Sequence, residues 1–175
     1  STARSLAQAD SKEGYKLTLK MPCYLPVMQY AKSSELRKKL YMAHNTRASE
    51  LYEAGKFDNT PIMRELLALR QEEAKLLGYK NFAEVSLVPK MANSPDEVVS
   101  FLRDLAQRAK PFAEKDAAEM REFASKELGM SDCQAWDWPF VGEKLKEVKY
   151  SFSEQEVKQY FTAPKVLAGL FKIVE

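Results

Sequence analysis

Histidine is nearly absent: the chain holds one, His44. A lone imidazole with no second His, Cys or carboxylate at ligand spacing packs instead of ligating, so His-paired catalysis and His-rich metal sites are excluded. Cysteine is almost as scarce. Cys23 and Cys133 stand 110 residues apart without paired spacing. That excludes a disulfide framework and suits structural thiols in a reducing compartment, the cytoplasm. No apolar run approaches the roughly 20 residues needed to span a bilayer. Residues 1–14 lack the apolar core of a signal peptide. Charge of one sign is missing too: 27 basic and 25 acidic residues are mixed along the chain, so nucleic acid is not its main partner. There is no internal repeat and no low-complexity segment.

What remains favours helices. Six glycines in 175 residues, 45% apolar and 30% charged residues describe a globular, helix-favouring chain. The length suffices for one domain with a sizeable core, or for a piece of something larger. Ser1 is no initiator methionine, and a single lone strand (below) cannot stabilise itself. Both favour a fragment.

Residues 58–92 carry the strongest start and stop signals. Asn59 or Thr60 can cap a helix with Pro61 at its first helical position, and Gly78 supplies the left-handed residue that closes it after Leu77. Asn81 can cap a second, shorter helix through Phe82, Val85 and Leu87. In the first helix Ile62, Met63, Leu66, Leu67, Leu69, Ala74, Leu76 and Leu77 cover nearly half the circumference. Such a helix is expected to be buried between other elements. Arg70 and Glu73 fall inside that arc. Arg47 lies inside a second stripe (Leu36, Leu40, Ala43, Leu51, Ala54) on a helix expected from Ser34 to Ala54. The short turn between these helices favours antiparallel packing. Arg47 and Arg70 are therefore expected to be buried and paired, with Glu50 and Glu73 as local candidates.

Elsewhere, residues 2–9 are weakly helical and Gly14 ends them. Residues 15–20 alternate large and polar side chains and form the one convincing strand. Prolines at 22 and 26 lead into a short helix. Ser94, Pro95, Asp96 and Glu97 make a capping box that opens a helix running to about Leu128, bent but not ended by Pro111 and stopped by Gly129. Trp136, Trp138 and Phe140 lack basic interleaving and read as core or interface. Ser153 to Glu156 is a second capping box for a short helix to Tyr160 and Phe161, and Pro164 opens a final helix through Val174. At least seven helices follow, with little or no sheet.

Several short matches, in order, resemble the thimet oligopeptidase and oligopeptidase A family of zinc peptidases. They are Thr46-Arg47-Ala48-Ser49, Leu69-Arg70, Leu76-Leu77-Gly78-Tyr79, Asn81-Phe82-Ala83, Ser86-Leu87, Lys90-Met91-Ala92 and Ala135-Trp136-Asp137. The pattern of strand, Pro and short helix through Met28 extends the resemblance upstream. Two departures stand out. Cys23 sits where Ser or His is expected, and Phe140-Val141 replaces a pair of tyrosines.

The resemblance implies a mainly helical segment of a zincin-like, neurolysin-like oligopeptidase that cleaves short peptides in a deep channel. In that family a helix bearing His-Glu-x-x-His and a later Glu hold the zinc, and the glutamate of the motif activates the zinc-bound water. With one histidine, none of that centre is in this sequence, and it is expected downstream of Glu175. The 175 residues then form one helical segment of channel wall and scaffold. The segment has no catalytic residue, no metal ligand and no assigned substrate-binding residue. Its partners are short peptides and the rest of its own chain, with no nucleic acid and no membrane. The rival is a stand-alone helical interaction module that never held a metal.

Overall fold

At four helix starts in this chain a side chain accepts one of the first unpaired amides. The structure is a computed structural model and describes residues 4, 7, 8, 10, 11, 13–151 and 154–174. Among these, eight α-helices follow in order: α1 (Met21–Tyr30), α2 (Ser34–Asn45), α3 (Thr60–Leu76), α4 (Phe82–Leu87), α5 (Pro95–Leu128), α6 (Trp138–Tyr150), α7 (Glu154–Lys158) and α8 (Ala163–Val174). A 3-10 turn, Glu53–Gly55, lies between α2 and α3. No strand occurs among the described residues.

The caps show why the boundaries fall where they do. Asn81 Oδ1 accepts the Glu84 amide at 3.1 Å, while Glu84 Oε2 accepts the Lys80 amide at 2.9 Å. At α5, Ser94 Oγ accepts the Glu97 amide at 3.2 Å and Glu97 Oε2 accepts the Asn93 amide at 2.8 Å. Each is a variant of the capping box in which the glutamate takes the amide of the residue before the cap. At α3 the acceptor is neither Asn59 nor Thr60 but Asp58. Its Oδ1 takes the Thr60 amide at 2.9 Å and the Thr60 hydroxyl at 2.7 Å. Gly78, at φ +83°, closes α3 as expected: its amide bonds Lys75 O at 3.1 Å and the Tyr79 amide bonds Ala74 O at 2.8 Å. These two bonds make a Schellman motif. Helix α5 runs for 34 residues through Pro111, about 50 Å, and stops before Gly129 at φ +64°.

The described chain divides into two units, 1–41 with 119–175 and 42–118. In the first, α1 packs on α6. Tyr24, Met28 and Leu40 form its buried centre, with Leu17, Leu19, Val27, Leu36, Tyr41 and Trp136 packed against them. Phe140 and Val141 are buried as well, and Trp136 and Trp138 are half-buried, within the core-or-interface expectation. Gly142 faces Met120 so closely that a Cβ would meet its Cε at 3.4 Å. In the second unit α3 packs on α4.

Several expectations are corrected. Residues 15–20 form no strand. Their polar groups turn to the next helix: the Thr18 amide donates to Cys23 Sγ at 3.3 Å, and the Cys23 thiol approaches Lys16 O at 3.9 Å. The alternation that suggested a strand instead turns Leu17 and Leu19 onto the core. The helix from Ser34 ends at Asn45. There the Thr46 hydroxyl bonds back to Met42 O at 2.7 Å, the Ser49 hydroxyl takes Thr46 O at 2.7 Å, and Ala48 adopts φ +55°. Such hydroxyl bonds compete with helix continuation. The expected antiparallel pair of long helices loses its first member.

Helix α3 is not enclosed. Residues 61–70 are all exposed, and Ala74 is its buried residue. The expected helix over residues 2–9 rests mostly on residues outside the described ones, though Arg4, Ala7 and Gln8 are helical. Ser153 of the second capping box also lies outside them, and α7 ends at Lys158, short of Tyr160.

Candidate functional site

The most completely built polar site surrounds Arg37. This guanidinium is 1% exposed and Asp137 is 2% exposed. Arg37 Nη2 donates to Asp137 Oδ1 at 2.6 Å and Nε donates to the same oxygen at 3.3 Å. Nη1 donates to Ala31 O at 2.5 Å, just past the end of α1. The Ser34 hydroxyl adds a third bond to Oδ1 at 2.8 Å, and the Gln134 amide donates to Oδ2 at 3.1 Å. Trp136 Nε1 donates to Ser34 Oγ at 3.1 Å, and the guanidinium lies 4.4 Å from the Phe140 ring centroid. Buried charge is tolerated only when paired and hydrogen-bonded. Through these bonds the cluster holds the end of α1, the start of α2 and the turn before α6 together. Beside it, buried Glu143 accepts the Tyr30 hydroxyl at 2.8 Å and lies 3.1 Å from Lys146 Nζ.

The arginines marked in the sequence behave differently. Arg47 is exposed and its Nε reaches His44 O at 3.4 Å. Arg70 is exposed, 4.8 Å from the Phe82 ring centroid, and shares a shallow groove on α3 with Glu73. Neither is the buried, paired arginine expected of it: the helix from Ser34 ends at Asn45, before Arg47, and the apolar stripe that contains Arg70 is uncovered. Arg37 is the functional-looking arginine that the sequence reading lacks, although Leu40 and Tyr41 stand three and four residues on, on the same helix face. Its partner Asp137 was visible only as the last residue of a family match.

Cys23 is buried in α1, His44 is half-buried in α2, and Cys133 is half-buried in the turn before α6. Burial first, then Asp137 and Asp132, push the Cys133 thiol above its ordinary value, which suppresses the thiolate nucleophile. No three His, Cys, Asp or Glu side chains among the described residues are grouped to hold a metal. A zinc site needs about three such ligands with one position open, and this donor set does not fit it.

The second unit has a cavity of about 390 Å³ lined by Tyr79, Glu84, Leu87, Lys90, Asn93 and Ser94, among others. Its walls offer two hydroxyls (Tyr79 and Ser94), a carboxylate and an ammonium. No helix among the described residues is long and apolar enough to cross a membrane.

Residues 27–175 match the family model of peptidase family M3. The chain belongs to peptidase family M3. This M3 chain is 47% identical over 174 residues to oligopeptidase A of Salmonella typhimurium, covering 99% of itself and 26% of that protein. It is 42% identical over 164 residues to the probable cytosolic oligopeptidase A of Arabidopsis thaliana, covering 91% of itself and 22% of the relative. Dipeptidyl carboxypeptidase of Salmonella typhimurium is 31% identical over 147 residues, 83% of this chain and 21% of that one. The chain thus spans about a quarter of the length of the curated relatives it matches.

Proposed function

We propose that the chain is part of a zinc-dependent oligopeptidase of the cytoplasm that hydrolyses short peptides in a deep channel. In this reading its helices build channel wall and scaffold, while the zinc ligands and the water-activating glutamate lie elsewhere in the protein. The observation that carries the reading is the 47% identity to oligopeptidase A across 99% of the chain, which amounts to 26% of that relative. One feature of the molecule supports it: long apolar faces on α3 and α5, including Leu66, Leu69, Phe101, Leu105 and Phe112, stand open. Such faces suit a segment that other parts of a larger protein cover.

The test separates segment from whole. The complete protein is expected to cleave a quenched fluorescent peptide, and a chelator is expected to abolish the cleavage. Residues 1–175 alone are expected to cleave nothing and to bind no stoichiometric zinc. Peptidase activity that survives complete metal removal would overturn the zinc assignment. Tight zinc in the isolated segment would overturn the division of labour.

A further inference from the structure

The cavity of about 390 Å³ in the second unit lies between α4 and the start of α5. Its size is near the low end of ligand pockets, which run from roughly 300 to 1,000 Å³. Two opposite charges line it, Glu84 from α4 and Lys90 from the turn that follows. The protein uses each of them only in part. Glu84 Oε2 accepts the Lys80 amide at 2.9 Å, and the other carboxylate oxygen takes no hydrogen bond from the described residues. Lys90 Nζ donates to Ser86 Oγ at 2.7 Å, one bond of the three an ammonium can donate. The Tyr79 hydroxyl has no hydrogen-bond partner among the described residues. Ser94 Oγ accepts the Glu97 amide at 3.2 Å and keeps its own proton to donate. Leu87, Val88 and Pro95 supply apolar wall.

We propose that this cavity binds a short peptide with both termini free, its carboxylate on Lys90 and its ammonium on Glu84. The charges select the class of ligand. One ammonium and one carboxylate leave the lining without net charge, so a polyanion such as a nucleotide meets repulsion as well as attraction. A divalent cation finds a single carboxylate and a repelling ammonium. An uncharged apolar ligand takes water from both charges and pairs neither. A zwitterion pairs both through charge-assisted hydrogen bonds. A peptide group adds a carbonyl for the Tyr79 and Ser94 hydroxyls, and its side chains rest on the apolar wall. A free amino acid has the same two ends but lacks that carbonyl. The proposal rests on the reading of the chain as part of a peptidase. Cleavage of a peptide bond by water creates one new amino end and one new carboxyl end, so short products carry the two charges that the lining complements.

The experiment uses the complete protein with carbon-13 in its leucine and valine methyl groups, and the dipeptide alanyl-alanine as probe. Saturable shifts of the Leu87 and Val88 methyl resonances are expected. The same dipeptide with its amino end acetylated and its carboxyl end amidated is expected to bind at least ~10-fold more weakly, since both charged hydrogen bonds are gone. Free alanine is expected to bind more weakly than the dipeptide. Glu84→Gln keeps an acceptor for the Lys80 amide, and Lys90→Met keeps the length of the stem. Each is expected to weaken the dipeptide about 10-fold. Leu87 and Val88 resonances that do not move at about 10 mM dipeptide overturn the proposal. So do equal affinities for the free and blocked dipeptides, affinities unchanged in both variants, or free alanine binding as tightly as the dipeptide. The comparison of free with blocked dipeptide needs no substitution, so it decides the matter where a variant fails to fold. Cleavage of a quenched fluorescent peptide is scored on the same protein. A protein that takes the dipeptide here and cleaves nothing keeps this site and sinks the proposed function; an active peptidase whose Leu87 and Val88 resonances stay still does the reverse.

Discussion

Arg37 Nη2 and Asp137 Oδ1 lie 2.6 Å apart across a sequence separation of 100 residues, with both side chains almost fully buried. No other ion pair between described residues combines that burial with that reach. It ties the start of α2 to the turn before α6, and Ser34 and Trp136 extend it as a hydrogen-bonded chain.

Removing one partner strands the other charge in the core. Arg37→Ala and Asp137→Ala are each expected to cost about 3 kcal/mol or more. The double variant is expected to cost far less than the sum, since residues in one network are not additive. Arg37→Lys is expected to rescue little, because a point charge cannot reach Asp137 and the Ala31 carbonyl together. Chemical denaturation of the four proteins checks this, and strictly additive losses would refute the coupling.

Arg70 is the counter-case. It is exposed, and its main contact is the Phe82 ring at 4.8 Å. In the 175-residue chain Arg70→Ala is expected to cost under about 1 kcal/mol, the range of an exposed cation–π contact. A loss near 3 kcal/mol would place this arginine in a buried network instead.

The difference between these arginines explains what the sequence can and cannot tell. Caps are local: Asn81, Ser94 and Gly78 each act within four or five residues, and all three are readable from the chain alone. Coverage is not local. The stripe on α3 is real, yet nothing in residues 60–76 says whether another element lies on it, so the stripe alone does not bury Arg70. Arg37 shares a helix face with Leu40 and Tyr41, but its partner is 100 residues away and invisible to any short window. The alternation over residues 15–20 is real too, and it serves packing against α1 instead of pairing in a sheet. As for the site, the family matches were legible while the chemistry was not, because one histidine and two distant thiols cannot specify a centre.

Gly78 tests the local half of that account. Its φ of +83° is one that side-chain-bearing residues adopt only with strain, and a Cβ there would meet nothing within 4 Å. Any loss in Gly78→Ala is therefore backbone strain alone, expected at about 1–2 kcal/mol. Gly78→Asn is expected to lose less, since asparagine tolerates the left-handed region. Equal losses for the two variants would point to a steric cause that the structure does not contain.

Asp58 gives a pH dependence with a definite sign. The Thr60 amide and then the Thr60 hydroxyl hold its carboxyl below the ordinary value of 3.8; burial opposes them and Arg64 adds a smaller attraction. A folded value below the unfolded one means that the unfolded chain binds the proton more tightly. The contribution is therefore complete above the unfolded value and is lost as pH falls through the folded one. Protection of the Thr60 amide, corrected for intrinsic exchange, is expected to decline as pH drops from about 5 towards about 2. The carboxyl carbon of Asp58 is expected to titrate with a midpoint below 3.8. Asp58→Asn keeps an acceptor for the Thr60 amide and is expected to flatten the pH response while leaving the helix start in place. A midpoint at or above 3.8 would show that the two Thr60 bonds do not form in solution. An unchanged pH response in Asp58→Asn would assign it to another carboxylate, and Glu122, held low by its hydrogen bond from Lys126, is the next to examine.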